Sequence, residues 1–515
     1  MAGEFKEITA RRYLFGLLII AAMLRFWVAW QPVEVLVTKN LPDDAFYYFV
    51  IARNLVNLGS PSLDGQSITN GFHPLWFVLI LPIFAWTRVG AELPIHITLS
   101  LASLLDVGSV FLLARLAAIL LRDWWAGLVA GWIYSINPVV ILQATNGLET
   151  SLGIFTALLF LSTFHAWLTQ HLGENLTMLA GLGGGLMFLA RTDSIFLFAA
   201  SMIAALWYWN KTKRIYSVFR AAIAALITVS PWLAWNQLNL GKIFQDSGEA
   251  VPYVIHQKFS AEWGPGLGAF IAQSTRQLFD LTVWLRGDFT GLPLFIGMVF
   301  WLIALILLIR RWSIIPNRLE IAILLPILVA SVLLILAHAG FRWYPRPWYF
   351  VPSSVGFALC FAISTHNYLR EKRYVVPLVA FLSAVFLLTG QIFWNVGYYP
   401  WQRIMLQASQ WLSHNLGKGE TAAAFNAGIL AYYNSPKVVN LDGVVNHQAY
   451  KAIQARALID YAKTRKVDYL IEADYFVWEQ FAPFMGEGFP GLLEETASFG
   501  KLNDELGELR VYKIK

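Results

Sequence analysis

Residues 1–30, MAGEFKEITARRYLFGLLIIAAMLRFWVAW, have the pattern of a membrane-spanning helix and so indicate the fold class. A basic flank precedes an apolar run that is too long for a signal peptide and has no small-residue cleavage site, so we expect an uncleaved first span. Further apolar stretches of about 20 residues, flanked by Lys and Arg, follow along the chain. The 515 residues have a mean hydropathy of +0.55. This pattern predicts a polytopic α-helical membrane protein.

The charge distribution argues against nucleic-acid binding. The net charge is +6, but the basic residues lie in short clusters between apolar runs. Such clusters mark cytoplasmic loops, whereas a nucleic-acid surface gathers them in one patch or stripe. The 22 Trp, 20 Tyr and 36 Phe suit aromatic belts at the membrane–water boundaries. The single cysteine, Cys360, excludes a disulfide framework.

Placing the basic clusters in the cytoplasm predicts eleven spans, with the N-terminus inside and the C-terminus outside. The clusters are Arg11/Arg12, Arg115/Arg122, Lys211/Lys213/Arg214, Arg310/Arg311/Arg318 and Arg370/Lys372/Arg373. The predicted spans are 13–30, 95–121, 124–142, 151–169, 175–190, 195–209, 219–238, 291–309, 319–338, 348–367 and 375–394. The long outer loops are then 31–94 and 239–290.

One apolar stretch, HPLWFVLILPIFAW (73–86), is not counted as a span, because counting it would turn every later basic cluster to the outside. Its 14 residues would cover only about 21 Å of a hydrocarbon core about 30 Å thick. Pro82 also interrupts it. We predict an interfacial or re-entrant helix in the first outer loop.

After residue 400 the pattern changes to short apolar strands that alternate with helical periods. TAAAF, KVVNLDG, VDYLIEA and the final ELRVYKI suit strands, and QRIMLQASQWLSHNL and NHQAYKAIQARALIDYAKT suit helices. Residues 401–515 are long enough to fold alone. We predict a small extracytoplasmic α/β domain with a largely parallel sheet.

Two adjacent acids, Asp43 and Asp44, follow Pro42 in LPDDAFYYF (41–49) and begin a helix in the first outer loop. Capping and the helix dipole would explain one acid. Two acids side by side repel, which raises one pKa or recruits a cation, so the pair suits a general base or a metal site. Glu149, in the outer loop TNGLETSL, is either a helix-capping residue or a further carboxylate that faces the pair.

Other polar residues at the outer side also have two interpretations. His73 is either a polar anchor or a ligand. Arg191 and Asp193, in LARTDS, are more simply an ion pair than a substrate contact. Arg25, in the outer third of the first span, should either snorkel outward or meet an anion.

The segment GFRWYPRPWYF (340–350) places two arginines, Arg342 and Arg346, among aromatic residues and two prolines on the outer side. Snorkelling from a helix end explains one arginine. Two arginines in a stiff loop also form a fork that suits a phosphate group. Both interpretations stay open.

Together these motifs resemble the GT-C superfamily of integral-membrane glycosyltransferases, most closely its arabinofuranosyltransferase-like members. The superfamily also includes protein mannosyltransferases and the aminoarabinose transferase that acts on lipid A. The resemblance covers essentially the whole chain and rests on an ordered set of motifs. These are DDAFYYF (43–49), HPLW (73–76), NGLETS (146–151), LARTD (189–193) and FNAGILAYYNSPKVVNLDGVVN (425–446).

The resemblance implies two domains, a transmembrane catalytic domain at 1–400 and the α/β domain at 401–515. It implies transfer of a hexose or pentose from a polyprenyl-phosphate donor to a glycan, lipid or protein acceptor. The reaction would take place on the outer face of a cell (inner) membrane, with both the active site and the α/β domain extracytoplasmic.

The resemblance also implies roles for residues. In the DE form of the first-loop motif the first acid is the base, which corresponds to Asp43 with Tyr47 in register, but the DD of this sequence leaves Asp43 and Asp44 open. Glu149 would be the further catalytic acid. The donor and its phosphate would be bound by Arg342, Arg346, His73, Arg191 and Tyr47. Some members need a divalent metal and others do not, and the sequence shows no complete ligand set. If a metal binds, the resemblance implies Mg²⁺ or Mn²⁺ held by Asp43, Asp44 and Glu149.

Two other classes compete with the enzyme. A transporter or lipid flippase would place ionisable residues deep at mid-membrane and in repeated halves. Here they gather at the outer ends of the spans, and no repeat is visible. A non-catalytic scaffold would leave the outward acid pair without a purpose. The sequence therefore favours the glycosyltransferase.

Overall fold

The structure, a computed structural model, is mainly helical, with a small sheet near the C-terminus. It describes residues 2–85, 87–169, 174–209, 214–263, 268, 271, 318–340, 346–349, 351–366 and 372–515. The first helices are α1 (Ala2–Ala29), α2 (Val33–Lys39), α3 (Asp43–Leu58), α4 (Pro74–Phe84), α5 (Leu93–Leu121), α6 (Trp124–Ser135), α7 (Pro138–Ala144) and α8 (Thr150–Thr169). They are followed by α9 (Glu174–Ala190), α10 (Ile195–Trp209), α11 (Ile215–Leu240), α12 (Ser247–Trp263), α13 (Arg318–Gly340), α14 (Val351–Thr365) and α15 (Lys372–Val396).

Seven helices in the described ranges are long and apolar enough to cross a membrane, and an eighth span results if α6 and α7 are one bent span. The predicted spans 175–190 and 348–367 correspond to the shorter apolar helices α9 and α14. The predicted span 291–309 lies outside the described residues, as do Lys211, Lys213, Arg310, Arg311 and Arg370. The total of eleven spans and their orientation stay predictions.

The helix expected over 124–142 is not continuous. It breaks between α6 and α7, whose axes differ by 67°. Asn137 causes the break, because its side-chain Oδ1 accepts hydrogen bonds from the backbone N–H groups of Val139 and Val140 and so starts a new helix. Pro138 stands at the first position of α7, where its missing N–H costs nothing.

The segment between α1 and α5, predicted to be the first outer loop, folds into α2, α3 and α4, which together position the acid pair. The 11-residue α4 contains Pro82 and, at about 16 Å, is too short to cross a membrane, as the sequence indicated. Helix α3 begins directly after Pro42 and ends at Gly59, whose φ of 72° gives the left-handed C-cap that glycine adopts without strain. Asp43 and Asp44 therefore occupy the first turn of a helix with defined ends.

Arg25 meets an anion inside the helical bundle. Its Nε donates to Asp106 Oδ2 at 2.6 Å, and Tyr134 donates its hydroxyl to the other oxygen of Asp106 at 2.7 Å. The guanidinium also donates to the backbone carbonyl of Ser135 at 3.0 Å. Because a buried charge is tolerated only when it is paired, this cluster explains how a first-span arginine is accommodated.

Residues 401–515 form an α/β unit, called the C-terminal unit below. Its helices are α16 (Gln402–Asn415), α17 (Gly428–Asn434), α18 (His447–Ala455) and α19 (Leu458–Thr464). Its strands are β1 (Ala422–Ala424), β2 (Val438–Asn440), β3 (Tyr469–Ala473), β4 (Leu493–Asn503) and β5 (Gly507–Ile514).

The five strands form one sheet in the order β2-β1-β3-β5-β4. Strand β1 pairs in parallel with β2 and β3, in the registers Ala423↔Val439 and Ala423↔Leu470. Strand β5 is antiparallel to both β3 and β4. The parallel pairing expected from the sequence is therefore limited to β2, β1 and β3. The tight turn between β4 and β5 allows those two strands only antiparallel pairing.

The C-terminal unit packs directly on the segment between α1 and α5, and side chains of both share one hydrophobic core. The chain enters the unit alongside α2, where Tyr398 N and Tyr399 N donate to the backbone oxygens of Lys39 and Thr38. Gly397 lies so close that a Cβ there would collide with Thr38 O. Independent folding of 401–515 stays a prediction.

Candidate active site

Asp43, the first residue of α3, is bound by the C-terminal unit. Its Oδ2 accepts the N–H of Gly428 at 2.9 Å and its Oδ1 accepts that of Ile429 at 2.6 Å, so it caps the start of α17. The approach requires glycine, since a Cβ on Gly428 would collide with the backbone oxygen of Asp43. Burial raises the pKa of Asp43 to about 7, although the two N–H groups lower it. Both carboxylate oxygens of Asp43 therefore take part in a structural contact with the C-terminal unit.

Asp44, the next residue, is exposed and has different surroundings. The low dielectric of the surrounding protein raises the pKa of Asp44, the positive charge of Arg346 lowers it, and the negative charge of Glu149 raises it. Solvent reaches this carboxylate, although protein atoms surround it on its other sides. The space around Asp44, whose charge is influenced by Arg346 and Glu149, is called the recess below. Of the adjacent acids, Asp44 is thus the one accessible to a substrate.

Glu149 is buried and held from several sides. Its Oε2 accepts the hydroxyl of Tyr48 at 2.9 Å, and its Oε1 accepts Nη1 of Arg191 at 2.9 Å. His73 Nε2 lies 3.5 Å from the same Oε1. The Tyr48 hydroxyl accepts the backbone N–H of His73 at 2.9 Å, which ties α3 to the start of α4. Burial lowers the pKa of His73, so its ring is mainly neutral near pH 7.

Arg191 binds two carboxylates, one of which is Asp193, as the ion-pair interpretation expects. Its Nε and Nη2 donate to Asp193 at 3.1 and 2.5 Å, in addition to the bond from Nη1 to Glu149. The guanidinium also lies 5.3 Å from the centre of the Tyr349 ring. Gly153 makes room for it, because a Cβ there would lie 2.5 Å from Arg191 Cδ. With two acids already bound, Arg191 offers little net positive charge to a phosphate.

Arg346 is exposed, and its charge acts on Asp44 and on the buried Tyr399. The phosphate-fork interpretation of Arg346 stays a prediction. The other arginine of the predicted fork, Arg342, lies outside the described residues.

Tyr47, predicted to contact the donor, is buried against the C-terminal unit. Its hydroxyl donates to Phe425 O at 3.2 Å and accepts the N–H of Ala427 at 3.2 Å. Asn440 Nδ2 lies 3.3 Å from the same hydroxyl. Tyr47 therefore fixes α3 to the carboxyl end of β1 and is placed to support the acid pair.

Sequence reasoning missed Asp442 and Tyr399. Asp442 follows β2, and its Oδ1 accepts the N–H of Val444 at 2.8 Å. Burial raises the pKa of Asp442 to about 8, and the nearby charges of Asp44 and Asp43 also act to raise it. The signal for Asp442 was an Asp-Gly directly after a strand. Tyr399, among the aromatics of GYYPW (397–401), carried no such signal.

The proposed ligands of a metal ion are not brought together as a set. Both oxygens of Asp43 accept backbone N–H groups, and those of Glu149 are bound by Tyr48 and Arg191. Within the described part of the chain, no group of three or more His, Cys, Asp or Glu side chains could hold a metal ion. These three carboxylates do not fit a shared divalent cation in this arrangement.

Comparisons with known proteins give the fold. ArnT from Cupriavidus metallidurans in the apo state is similar over 98% of both chains, with a TM-score of 0.59 and 10% sequence identity. The same protein bound to undecaprenyl phosphate covers 97% of both chains, with a TM-score of 0.58 and 11% identity. The oligosaccharyltransferase AglB from Archaeoglobus fulgidus, in complex with an inhibitory peptide and a dolichol-phosphate, is also similar. It matches 92% of this chain and 71% of its own, with a TM-score of 0.54 and 12% identity.

Sequence comparisons add less. A family described as a domain of unknown function (DUF8728) matches residues 395–505, which is most of the C-terminal unit. No curated protein matches the sequence significantly. The whole-chain structural similarity shows that the protein has a GT-C-like fold.

Proposed function

We propose that the protein is a membrane glycosyltransferase that moves a sugar from a polyprenyl-phosphate donor to an acceptor hydroxyl on the outer face of the cell membrane. The observation that carries the proposal is the separation of the two acids. Asp43 is bound by the C-terminal unit, whereas Asp44 is exposed and its pKa is influenced by the positive charge of Arg346. The undecaprenyl phosphate and dolichol-phosphate bound to the structural neighbours support a lipid-phosphate donor.

Asp44 is proposed as the general base. Its carboxylate takes the proton of the acceptor hydroxyl while the acceptor oxygen bonds to the anomeric carbon of the donor sugar. The bond from that carbon to the phosphate oxygen breaks, and polyprenyl phosphate leaves with the electron pair. A single displacement of this kind inverts the anomeric centre. A raised pKa brings the base closer to the working pH, where it accepts a proton more readily.

Arg346 is proposed to bind the phosphate of the donor. The leaving phosphate gains negative charge as the sugar bond breaks, so a nearby guanidinium stabilises the transition state more than the bound substrate. Arg346 also lies in a segment with aromatic residues that suit headgroup depth, where the phosphate of a membrane-embedded donor must be. The paired Arg191 would instead hold Glu149 and Tyr48 in place behind the recess.

The C-terminal unit is proposed to position the acid pair and the acceptor, and to take no part in the chemistry. A divalent metal, if the reaction requires one, needs ligands beyond Asp43 and Glu149, because those two are already bound by the protein. Addition of a chelator to the purified protein tests this requirement directly.

The experiment is transfer by purified protein in lipid nanodiscs, supplied with a panel of polyprenyl-phosphate hexoses and pentoses and with glycan, lipid and protein acceptors from the cell envelope, and read out as released polyprenyl phosphate. We expect one donor to be consumed by the wild type. Asp44→Asn should lower the rate about 10²–10⁴-fold, the typical loss for a general base. Asp504→Asn, a change at an exposed carboxylate paired with Lys501, is the control.

Two outcomes would contradict the proposal. Consumption of no donor by the wild type would exclude this reaction class. A near-normal rate for Asp44→Asn, combined with a strong loss for Asp43→Asn at unchanged stability, would move the base to Asp43.

A further inference from the structure

The side chain of Tyr399 is buried, with 5% of its surface exposed, yet its hydroxyl has no hydrogen-bond partner among the described residues. Burying a hydroxyl without a partner costs free energy, because its bonds to water are lost and not replaced. An unpaired buried donor in an otherwise well-packed region therefore points to a missing partner.

Tyr399 is rigidly placed beside the recess. Its backbone N–H donates to Thr38 O at 3.0 Å, at the end of α2, and its carbonyl accepts the N–H of Gln402 at 3.0 Å. Its ring packs edge-on against Trp401, with the ring centres 5.9 Å apart. A side chain fixed at both backbone and ring loses little entropy when its hydroxyl binds a ligand.

The charges that act on the Tyr399 hydroxyl are those of Arg346 and Asp44. Gln402, whose backbone N–H donates to Tyr399 O, also accepts the backbone N–H of Asp43 through its side-chain Oε1 at 2.7 Å, so Tyr399 is tied to the start of α3, which carries the proposed base. Burial raises the pKa of Tyr399 above its ordinary value, so the hydroxyl keeps its proton and serves as a donor. A neutral donor next to a guanidinium suits a phosphate oxygen, which accepts several hydrogen bonds.

We propose that Tyr399 is a substrate-binding residue whose hydroxyl donates a hydrogen bond to a phosphate oxygen of the lipid-linked donor, alongside Arg346. This inference rests on the proposed function. It adds a side chain from the segment between the membrane helices and the C-terminal unit to the donor site.

The test is Tyr399→Phe, which removes the hydroxyl alone. An unpaired buried hydroxyl destabilises the folded protein when no ligand is bound. In the absence of lipid phosphate, the variant should therefore melt at the same temperature as the wild type or at a higher one. Its affinity for undecaprenyl monophosphate in nanodiscs should fall about 10- to 100-fold, the loss of one hydrogen bond to a charged group. Undecaprenol, which lacks the phosphate, should bind both proteins equally.

Tyr432→Phe is the matched control. Tyr432 is a fully buried tyrosine whose hydroxyl donates to the backbone oxygen of Ala91. Its removal should lower the melting temperature and leave undecaprenyl phosphate binding unchanged. Tyr399→Phe should therefore lose phosphate affinity without losing stability, whereas Tyr432→Phe should lose stability without losing phosphate affinity.

Three results would overturn the inference. A lower melting temperature for Tyr399→Phe without ligand would show that the hydroxyl is bonded within the protein. Unchanged affinity for undecaprenyl phosphate would exclude the phosphate contact, and a raised KM for the acceptor alone would assign the hydroxyl to the acceptor. The wild type could also bind undecaprenyl phosphate more tightly than Tyr399→Phe does and yet transfer no sugar. In that case the inference stands and the proposed transfer reaction fails.

Discussion

Two neighbouring residues of the same chemistry, Asp43 and Asp44, have different environments. They are adjacent in α3, where successive side chains point about 100° apart around the helix axis. That rotation turns Asp43 into the N–H groups of α17 and Asp44 into the recess with Arg346. The division of roles between the two acids therefore follows from helix geometry and from what packs against each side.

The burial of Asp43 predicts a specific pH dependence of stability. Its pKa is about 7 in the folded protein, against 3.8 for an unperturbed aspartate. Because the folded state holds this proton more tightly, the contribution of Asp43 to the free energy of unfolding is full below about pH 4 and is lost as the pH rises to about 7. Asp43→Asn cannot titrate and should show a flatter profile over this range.

Melting temperatures of the purified wild type and Asp43→Asn, measured from about pH 4 to 8, check this prediction. Asp504→Asn serves as the reference for removal of an exposed carboxylate. If the decrease with rising pH is as steep in Asp43→Asn as in the wild type, another group is responsible for it.

The proposed role of Arg346 predicts that its substitution weakens binding of the lipid donor and does not affect binding of the acceptor. Lysine keeps the positive charge but cannot form two parallel hydrogen bonds to a phosphate. Arg346→Lys should therefore raise the KM for the lipid donor several-fold, for a loss of about 1–2 kcal/mol of charge-assisted hydrogen bonding. Acceptor KM and melting temperature should change little. Unchanged donor kinetics would favour the snorkelling interpretation, since lysine snorkels as well as arginine.

Among the secondary-structure elements, those of the C-terminal unit support the start of α3. Its parallel strands β2, β1 and β3 end near the loop 425–427, and ligands of open α/β sheets bind at such carboxyl ends. Here the first turn of α3 occupies that place through Asp43 and Tyr47. The predicted separate domain thus contacts the membrane part through the very helix that carries the proposed base.

Glu472 should act as a positioning residue in this contact. It is buried at the end of β3 and accepts the N–H groups of Phe425 and Asn426, both at 2.8 Å, which holds the loop that binds Tyr47. Glu472→Ala should increase hydrogen–deuterium exchange in residues 41–49 and lower kcat by up to about 100-fold at unchanged donor KM. Glu472→Gln, which keeps one acceptor oxygen, should lose less.

Asp474→Asn is the control for this effect. Asp474 also follows β3 and accepts a backbone N–H, that of Glu508, but it faces β5 and Arg510 instead of the 425–427 loop. Asp474→Asn should lower the melting temperature without increasing hydrogen–deuterium exchange in residues 41–49. Equal exchange in this segment for Asp474→Asn and Glu472→Ala would mean that Glu472 has no positioning role.

In the described part of the molecule, residues from several helix ends and from the C-terminal unit influence the charge of Asp44 or of its neighbours. The ends of α3, α8 and α9 bring Asp44, Glu149 and Arg191 together from distant positions in the chain. The segment before α14 adds Arg346, and the C-terminal unit adds Asp442. A site built from several helix ends suits a substrate whose lipid tail stays in the bilayer while its phosphate lies at the interface.

The orientation of the molecule is testable by cysteine labelling of intact cells, after Cys360 is replaced by serine. The positive-inside pattern predicts that a cysteine at 515 or at the exposed position 248 reacts with an impermeant reagent, whereas one at 372 reacts only after permeabilisation. Labelling at 372 in intact cells would contradict the eleven-span topology. It would also place the recess on the cytoplasmic side.

The amino-acid pattern alone was enough to predict the class of the protein and most of the residues of the recess. Apolar runs and basic clusters indicate a membrane protein because hydrocarbon excludes charges, a strong and local effect. The same pattern drew attention to Asp44, Glu149, Arg191 and Arg346 at the predicted outer ends of helices.

How these residues are used could be seen only in the folded chain. The pairing of Arg191 with Glu149 and the binding of Asp43 by Gly428 and Ile429 depend on contacts between segments far apart in the chain. So does the Tyr399 hydroxyl, which has no hydrogen-bond partner in the part of the chain that the structure describes. The same holds for the bend between α6 and α7 and for the antiparallel strands that complete the sheet. Periodicity reports the faces of each element, whereas the partners of a buried polar group are set by three-dimensional packing.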